Sequence, residues 1–149
     1  NGANTYRPEQ PVTREHLAIF LIKALGVQIA SAPSSPSFID VPPDRFSYAY
    51  VEEFVSRGLA SRDEYFFPEA QVTREQAVLS IMKALNLEEP AAPSASHFRD
   101  VEPSRPGYAL IEEAARRGIA TADAQGCFRP DDYITRGEIA AMLVRAFNL

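Results

Sequence analysis

Three arginines, each directly preceded by a threonine, are the residues of this sequence best suited to bind an anionic ligand. The pairs are Thr13-Arg14, Thr73-Arg74 and Thr135-Arg136. Threonine is a preferred helix N-cap, so each arginine is predicted at the first helical position. Backbone N–H groups there attract anions, and a guanidinium can hold a carboxylate or phosphate with two hydrogen bonds. The alternative is an arginine that is solvated or that bridges an acidic residue of a neighbouring segment.

The residues after each threonine predict the helices that would present these arginines. Apolar residues follow at helical spacing, in the first segment at Leu17, Phe20, Leu21, Ala24 and Leu25, and in the last at Ile139, Met142, Leu143, Ala146 and Phe147. Thr73 with Gln76, and Thr135 with Glu138, have the spacing of a capping box. His16 takes that position after Thr13. Glu138 is also predicted to support the binding site of the last segment.

The Thr-Arg pairs belong to an internal repeat, which sets the organisation of the whole chain. The steps from Arg14 to Arg74 and on to Arg136 are 60 and 62 residues. The predicted units are residues 1–27, the second half of repeat 1, then 28–87 (repeat 2) and 88–149 (repeat 3), sharing one compact domain. Each full repeat has a further predicted helix, roughly at 47–57 and 107–117. The fold is therefore predicted to be mostly α, built from tandem helix-loop-helix units.

Other side chains in the repeat have a functional and a structural interpretation. Tyr48 and Tyr108 are predicted as half-exposed groove walls that could stack on sugar rings, with a place in the core as the alternative. A core position is favoured for the aromatic-x-Pro residues Phe66 and Phe128, and Tyr6 is their counterpart in repeat 1. Loop capping is favoured over sugar binding for Asp40 and Asp100. The pairs Glu52-Glu53 and Glu112-Glu113 are predicted on a solvated helix face.

Composition excludes several classes of function. The formal net charge is −5, so nucleic acid is not an expected partner. Cys127 is the single cysteine, and His16 and His97 have no metal-ligand spacing. No metal site and no cofactor are therefore predicted. No apolar run reaches about 18 residues, so no membrane insertion is expected, and any export signal is expected outside this chain. The absence of a nucleophile motif or phosphate loop predicts that the chain is not an enzyme.

These residues resemble the S-layer homology (SLH) family. The match extends over nearly all of Phe98 to Leu149, including Phe128-Arg129-Pro130 and Ile134-Thr135-Arg136-Gly137-Glu138, and almost as fully over residues 38–87. The resemblance implies repeats packed with pseudo-threefold symmetry. It also implies a non-catalytic anchoring module at the cell surface, with grooves that bind an acidic, often pyruvylated, cell-wall polysaccharide or peptidoglycan-linked glycan. Carried over by position, the binding arginines are Arg14, Arg74 and Arg136.

A second function stays open from the sequence. Only half of repeat 1 is present, and repeat units need neighbours to bury their apolar faces. The chain could therefore be a structural subunit of a surface layer or extracellular filament, completed by a neighbouring copy. A homo-oligomer, filament or lattice is the partner that this alternative predicts.

Overall fold

The computed structural model describes residues 7–87 and 90–149, so the predicted aromatic Tyr6 lies outside the described residues. The described part of the chain folds into five helices and isolated β-bridges, which confirms the mostly α prediction. The helices are α1 (Arg14–Ala24), α2 (Tyr48–Ser56), α3 (Arg74–Ala84), α4 (Tyr108–Arg116) and α5 (Arg136–Phe147).

The three segments that precede the Thr-Arg helices meet in a closed ring of backbone hydrogen bonds. Val12 N–H donates to the carbonyl of Ile134, Ile134 N–H to that of Val72, and Val72 N–H to that of Val12, each over 2.9 Å. All three side chains are buried. Each segment thus donates to one neighbour and accepts from the other. This cyclic pattern confirms the pseudo-threefold packing.

The same cyclic pattern satisfies the first N–H groups of α1, α3 and α5. Arg14 N–H donates to Ala70 O at 2.9 Å, and Glu15 N–H to Pro68 O at 3.0 Å. The equivalent pairs are Arg74 to Asp132, Glu75 to Pro130, Arg136 to Gln10 and Gly137 to Pro8. A helix start leaves its first N–H groups without partners inside the helix. Here the aromatic-x-Pro turn of another repeat supplies those partners.

The shorter helices pack on the helix of the preceding repeat, α2 on α1 and α4 on α3. The Arg45 guanidinium bonds both carboxylate oxygens of Glu15, at 2.8 and 3.0 Å. Arg105 holds Glu75 in the same way, at 2.9 and 2.8 Å. Bidentate pairs of this kind stabilise the contact and also fix the relative orientation of the two side chains. In the described part of the chain α5 contacts α1 and α3 but has no shorter helix packed on it, and Gly137 stands where the other helices carry Glu15 and Glu75.

The aromatic-x-Pro turns are held by the two predicted loop-capping aspartates. The Asp40 carboxylate accepts the N–H groups of Phe66 and Phe67, at 2.8 and 2.7 Å. Asp100 does the same for the N–H groups of Phe128 and Arg129, both at 2.7 Å. Both carboxylates are engaged with the backbone, which confirms the structural interpretation.

One expectation about the acidic helix residues was wrong. Glu52 and Glu112 are buried, not solvated. Glu52 accepts hydrogen bonds from the N–H and Oγ of Ser37 at 2.7 and 2.6 Å. Glu112 accepts from Ser96 Oγ at 2.5 Å and from His97 N–H at 2.8 Å. A buried carboxylate needs such donors to offset the loss of hydration. These two fasten the proline-containing linkers to α2 and α4.

The predicted N-cap hydrogen bonds form in repeats 2 and 3 but not in repeat 1. Thr73 and Thr135 are N-caps whose hydroxyls accept from Gln76 N–H and Glu138 N–H, and both capping boxes are complete. Thr13 also occupies an N-cap position, but its side chain accepts no backbone N–H. Its Oγ1 lies 2.8 Å from His16 Nδ1 instead. The expected capping bond is therefore absent in repeat 1.

This difference predicts unequal costs for the three threonine-to-alanine substitutions. Thr135→Ala and Thr73→Ala should each lower the free energy of unfolding by about 1 kcal/mol, because a helix-start N–H loses its acceptor. Thr13→Ala should cost clearly less, since no backbone N–H depends on it. Urea denaturation of the three variants beside the wild type measures the difference. Equal losses at all three positions would contradict the assignment.

Candidate functional site

Three equivalent grooves separate α1, α3 and α5. Groove 1 lies between α1 and α3, groove 2 between α3 and α5, and groove 3 between α5 and α1. Their volumes are about 260, 360 and 350 Å³. Arg14, Arg74 and Arg136 line grooves 1, 2 and 3 respectively. The structure thus brings each predicted arginine to a separate groove rather than into one common site.

Arg14 and Arg74 have the same geometry. Arg14 Nε donates to Phe66 O at 2.7 Å, and its guanidinium lies 4.9 Å from the centre of the Phe66 ring. Arg74 repeats this with Phe128, at 2.7 and 5.0 Å. Phe66 and Phe128 are buried as predicted. Each guanidinium is therefore fixed at one edge by a carbonyl and on one face by an aromatic ring.

The backbone contribution expected at these helix starts is absent. The N–H groups of Arg14 and Glu15 already donate to Ala70 O and Pro68 O, and their counterparts in α3 and α5 are occupied in the same way. An anion in a groove would consequently be held by side chains. The inference of a helix N-terminal anion site was wrong because a neighbouring repeat uses those donors.

Grooves 1 and 2 differ in the residue that faces the arginine. In groove 2 the Arg74 Nη1 lies 2.7 Å from Glu138 Oε1. The equivalent residue in groove 1 is Gln76, and among the described residues no carboxylate lies within ion-pair distance of Arg14. Burial lowers the pKa of Arg14, and the more distant charges of Asp40 and Asp63 only partly oppose that shift. Arg14 is thus a half-buried cation with which no carboxylate of the described residues forms an ion pair.

The charged residues that line the two grooves reinforce this contrast. Among the described residues, the lining of groove 1 includes Arg14 and Lys83 and no carboxylate. The lining of groove 2 adds Asp123 and Glu138 to its three arginines, Arg74, Arg129 and Arg145. Arg129 Nε lies 3.3 Å from Asp123 Oδ2. Much of the positive charge of groove 2 is therefore compensated internally.

Groove 3 is mainly apolar. Its lining residues are Phe20, Lys23, Ala24, Arg136, Ile139, Ala140, Leu143, Val144 and Leu149. The Arg136 guanidinium lies 5.4 Å from the centre of the Phe20 ring, which belongs to α1 rather than to an aromatic-x-Pro turn. The counterpart turn residue in repeat 1 is Tyr6, outside the described residues. Groove 3 thus differs in chemistry from the other two.

The two predicted sugar-stacking tyrosines are not groove walls. Tyr48 and Tyr108 are 4% and 2% exposed, and both belong to the core. The Tyr48 hydroxyl donates to Pro33 O at 2.7 Å, and the Tyr108 hydroxyl lies 3.4 Å from Pro93 O. The prediction of half-exposed rings was wrong, because these positions hold the linkers against α2 and α4.

Asp123 has a structural role in its loop. Its Oδ1 accepts from Gln125 N–H and Cys127 N–H, so residues 123–127 form a turn. Across the described ranges, His, Cys, Asp and Glu side chains form no cluster of three or more suited to a metal ion. No described helix has the length and apolar character needed to cross a membrane.

The sequence is similar to a known family and to several known proteins. The family model described as S-layer homology domain matches residues 97–140. An endoglucanase of Bacillus sp. (strain KSM-635) is 32% identical over 140 residues, which is 89% of this chain and 14% of that protein. The S-layer protein EA1 of Bacillus anthracis and an S-layer protein of Bacillus licheniformis are each 30% identical over 128 residues, or 83% of this chain and 14% of theirs.

The chain belongs to the S-layer homology family. An SLH domain is a non-catalytic cell-wall anchoring module, and the S-layer relatives are proteins of the cell surface. The cell envelope is accordingly the location of this SLH chain. It spans about one seventh of the length of the relatives given above, 14% in each case.

Sequence reasoning missed the ion pairs that join the repeats. Arg45 and Arg105 stand 60 residues apart, as do their partners Glu15 and Glu75. That shared step was the available signal, since a charge pair that recurs with the repeat implies a contact. The two pairs fix α2 on α1 and α4 on α3 and so shape the walls of the grooves.

Lowered carboxylate pKa values predict a stability that depends on pH. Hydrogen bonds from Arg116 lower the pKa of Glu113 from 4.5 to about 2; burial opposes them and Arg117 assists. Burial would raise the pKa of Glu15, but hydrogen bonds from Arg45 and Ser47 outweigh it and lower the pKa. A depressed folded-state pKa stabilises the fold above the unfolded value, and this contribution is lost as the pH falls.

The urea midpoint should therefore decrease as the pH falls from about 4.5 towards 2. Glu113→Gln should remove part of that decrease, because its side chain no longer titrates. Circular dichroism at pH 6, 4 and 2.5, as rough sampling points, measures both curves. A wild-type midpoint that stays constant over this range, or a variant with an unchanged slope, would contradict the ion-pair assignment.

Proposed function

We propose that this SLH chain anchors its parent protein to the cell wall by binding an acidic, pyruvylated polysaccharide, with groove 1 as the principal site. The observation that carries this proposal is the Arg14 guanidinium, which is partly desolvated and faces Gln76 instead of a carboxylate. A ligand carboxylate would supply the missing counter-charge. Arg74 already has that partner in Glu138 at 2.7 Å.

The geometry favours recognition of a planar anion over general attraction to a charged polymer. The Nε edge of Arg14 is fixed on Phe66 O and one face on the Phe66 ring, which leaves the Nη groups as donors to the groove. A carboxylate matches two such donors. Since the chain carries a net charge of −5, long-range attraction to an anionic polymer is weak. Binding would be local and would depend on the arrangement of groove 1.

The two other predicted arginines and Glu138 have different parts in this proposal. Glu138 closes the capping box of α5 and neutralises Arg74, so it restrains groove 2 instead of contacting the glycan. Arg136 lines the apolar groove 3. Both arginines stay secondary candidates for glycan contact.

Exchanging the residues at positions 76 and 138 tests the proposal with little change to the fold. Gln76→Glu places beside Arg14 a carboxylate equivalent to the one that neutralises Arg74 in groove 2. This variant should bind purified cell walls about tenfold more weakly, or by about 1.4 kcal/mol. Glu138→Gln frees Arg74, and should leave binding equal or tighter. Depletion of protein by wall suspensions gives the dissociation constants.

Both substitutions keep a residue that completes a capping box, as Gln76 and Glu138 each do in their own helix. Matching thermal melts therefore serve as the control. Alanine at Arg14 or Arg74 is a poorer test, because each guanidinium also holds a turn carbonyl. Undiminished wall binding by Gln76→Glu, or a loss confined to Glu138→Gln, would overturn the assignment to groove 1.

A second candidate function is a structural subunit in which a helix of a neighbouring copy packs on α5. Groove 3 favours it. Ile22 and Met82, buried in α1 and α3, correspond to Val144 in α5, which is 48% exposed. α2 and α4 pack on α1 and α3, whereas among the described residues no shorter helix packs on α5.

This second function predicts self-association through groove 3. Sedimentation of the chain over a range of concentrations should show assembly, and Val144→Glu should abolish it, because a buried unpaired charge opposes packing. Val144 is exposed in the chain, so the variant should fold normally. A monomer at all concentrations would exclude the subunit function and leave the anchoring proposal intact.

A further inference from the structure

Two exposed aromatic rings stand together on the outside of the aromatic-x-Pro turn of repeat 2. The Tyr65 and Phe67 rings are stacked, with centroids 5.8 Å apart and planes at 30°. They are 42% and 62% exposed. Between them in the sequence, Phe66 points inward and is 1% exposed. This arrangement leaves an apolar ring surface in solvent that the core does not use.

The turn holds the rings in a fixed direction. Asp40 accepts both Phe66 N–H and Phe67 N–H, and Phe67 has a positive φ of 56°. Arg129, its counterpart in repeat 3, has the same conformation, with φ of 59°. The left-handed backbone therefore belongs to the turn itself. Its consequence is that the side chains of Phe67 and Arg129 leave the backbone in equivalent directions.

That equivalence locates the pair relative to groove 1. The Arg129 side chain lines groove 2, and its Nη2 lies 3.9 Å from Glu138 Oε1. The counterparts of Arg129 and Glu138 in repeat 2 are Phe67 and Gln76. By this equivalence we infer that Phe67 lies beside groove 1 on the side of Gln76, just outside the residues that line the groove. Phe66, whose carbonyl holds Arg14, adjoins both rings in the sequence. Repeat 3 has Cys127 and Arg129 at these positions and repeat 1 has Thr5 and Arg7, so the aromatic pair is specific to the turn of repeat 2.

We propose that Tyr65 and Phe67 form a stacking subsite for a sugar ring next to the acidic group bound by Arg14. This inference rests on the proposed function and extends it from a charge to a second sugar residue. The C–H face of a pyranose is apolar and can cover the exposed rings, while the tyrosine hydroxyl bonds a sugar hydroxyl. Groove 1 and the adjoining rings would then bind at least two consecutive sugar residues, an acidic one held by Arg14 and a second one recognised by its shape.

The test compares three forms of the full chain for binding to purified cell walls. The double variant Tyr65→Ser/Phe67→Asn removes both rings, and asparagine tolerates the positive φ at position 67. It should bind about tenfold more weakly, roughly the loss expected for one aromatic stacking contact. Phe46→Ser is the matched control, since Phe46 is 67% exposed and lies outside the aromatic-x-Pro turn, with its ring 6.3 Å from that of His16. It should bind as the wild type does.

The outcomes separate this subsite from the anchoring proposal. Unchanged wall affinity in the double variant, with weakened binding in Gln76→Glu, would overturn the subsite alone. Weakened binding in the double variant only would retain the stacking role and overturn the role of Arg14. Wall binding that is unaffected in the double variant while self-association is lost would assign the rings to a protein contact, and would overturn the subsite. A wild-type chain that does not bind walls would overturn both proposals.

Discussion

The closed ring of hydrogen bonds among Val12, Val72 and Ile134 is the constraint on which the rest of the structure depends. Because each segment has one neighbour as donor and the other as acceptor, no repeat can satisfy its backbone alone. The ring brings three helix starts together and places each beside the aromatic-x-Pro turn of another repeat. Helix capping, burial of the aromatic rings and placement of the arginines then follow from one geometry. The same constraint uses up the N–H groups that an isolated helix would offer to an anion.

The backbone packing is pseudo-symmetric, but the side chains at equivalent positions differ. This difference in residue type gives the grooves different chemistry. Arg14 and Arg74 have almost the same contacts with their turns, yet one faces Gln76 and the other Glu138. The third helix carries Gly137 where the others carry a glutamate, and its apolar face is partly exposed. The backbone frame thus fixes where a ligand group can lie. Single residues at equivalent positions determine which ligand group is favoured.

The repeat and the helices could be predicted from the sequence because they depend on local patterns. Thr73 with Gln76 and Thr135 with Glu138 lie within single turns, and their capping boxes were predicted correctly. Contacts between repeats were harder to predict. The burial of Tyr48 depends on the linker around Pro33. The backbone N–H groups at Arg14 are unavailable to an anion because they donate to a turn more than 50 residues away. Glu52 and Glu112 follow a polar pattern and are buried because linker residues of their own repeat bond to them. Only the three-dimensional arrangement supplies these partners.

Grooves 1 and 2 have equivalent positions but differ in their free positive charge. The most direct test of this difference is nuclear magnetic resonance of the arginine Nε–H groups during titration with solubilised wall polysaccharide. Both Nε–H groups are fixed on turn carbonyls at 2.7 Å, so both should give separate signals. The signal of Arg14 should shift with saturable dependence on polysaccharide while that of Arg74 stays nearly constant. An Arg74 signal that shifts first, or signals of Arg14 and Arg74 that shift together, would contradict the claim.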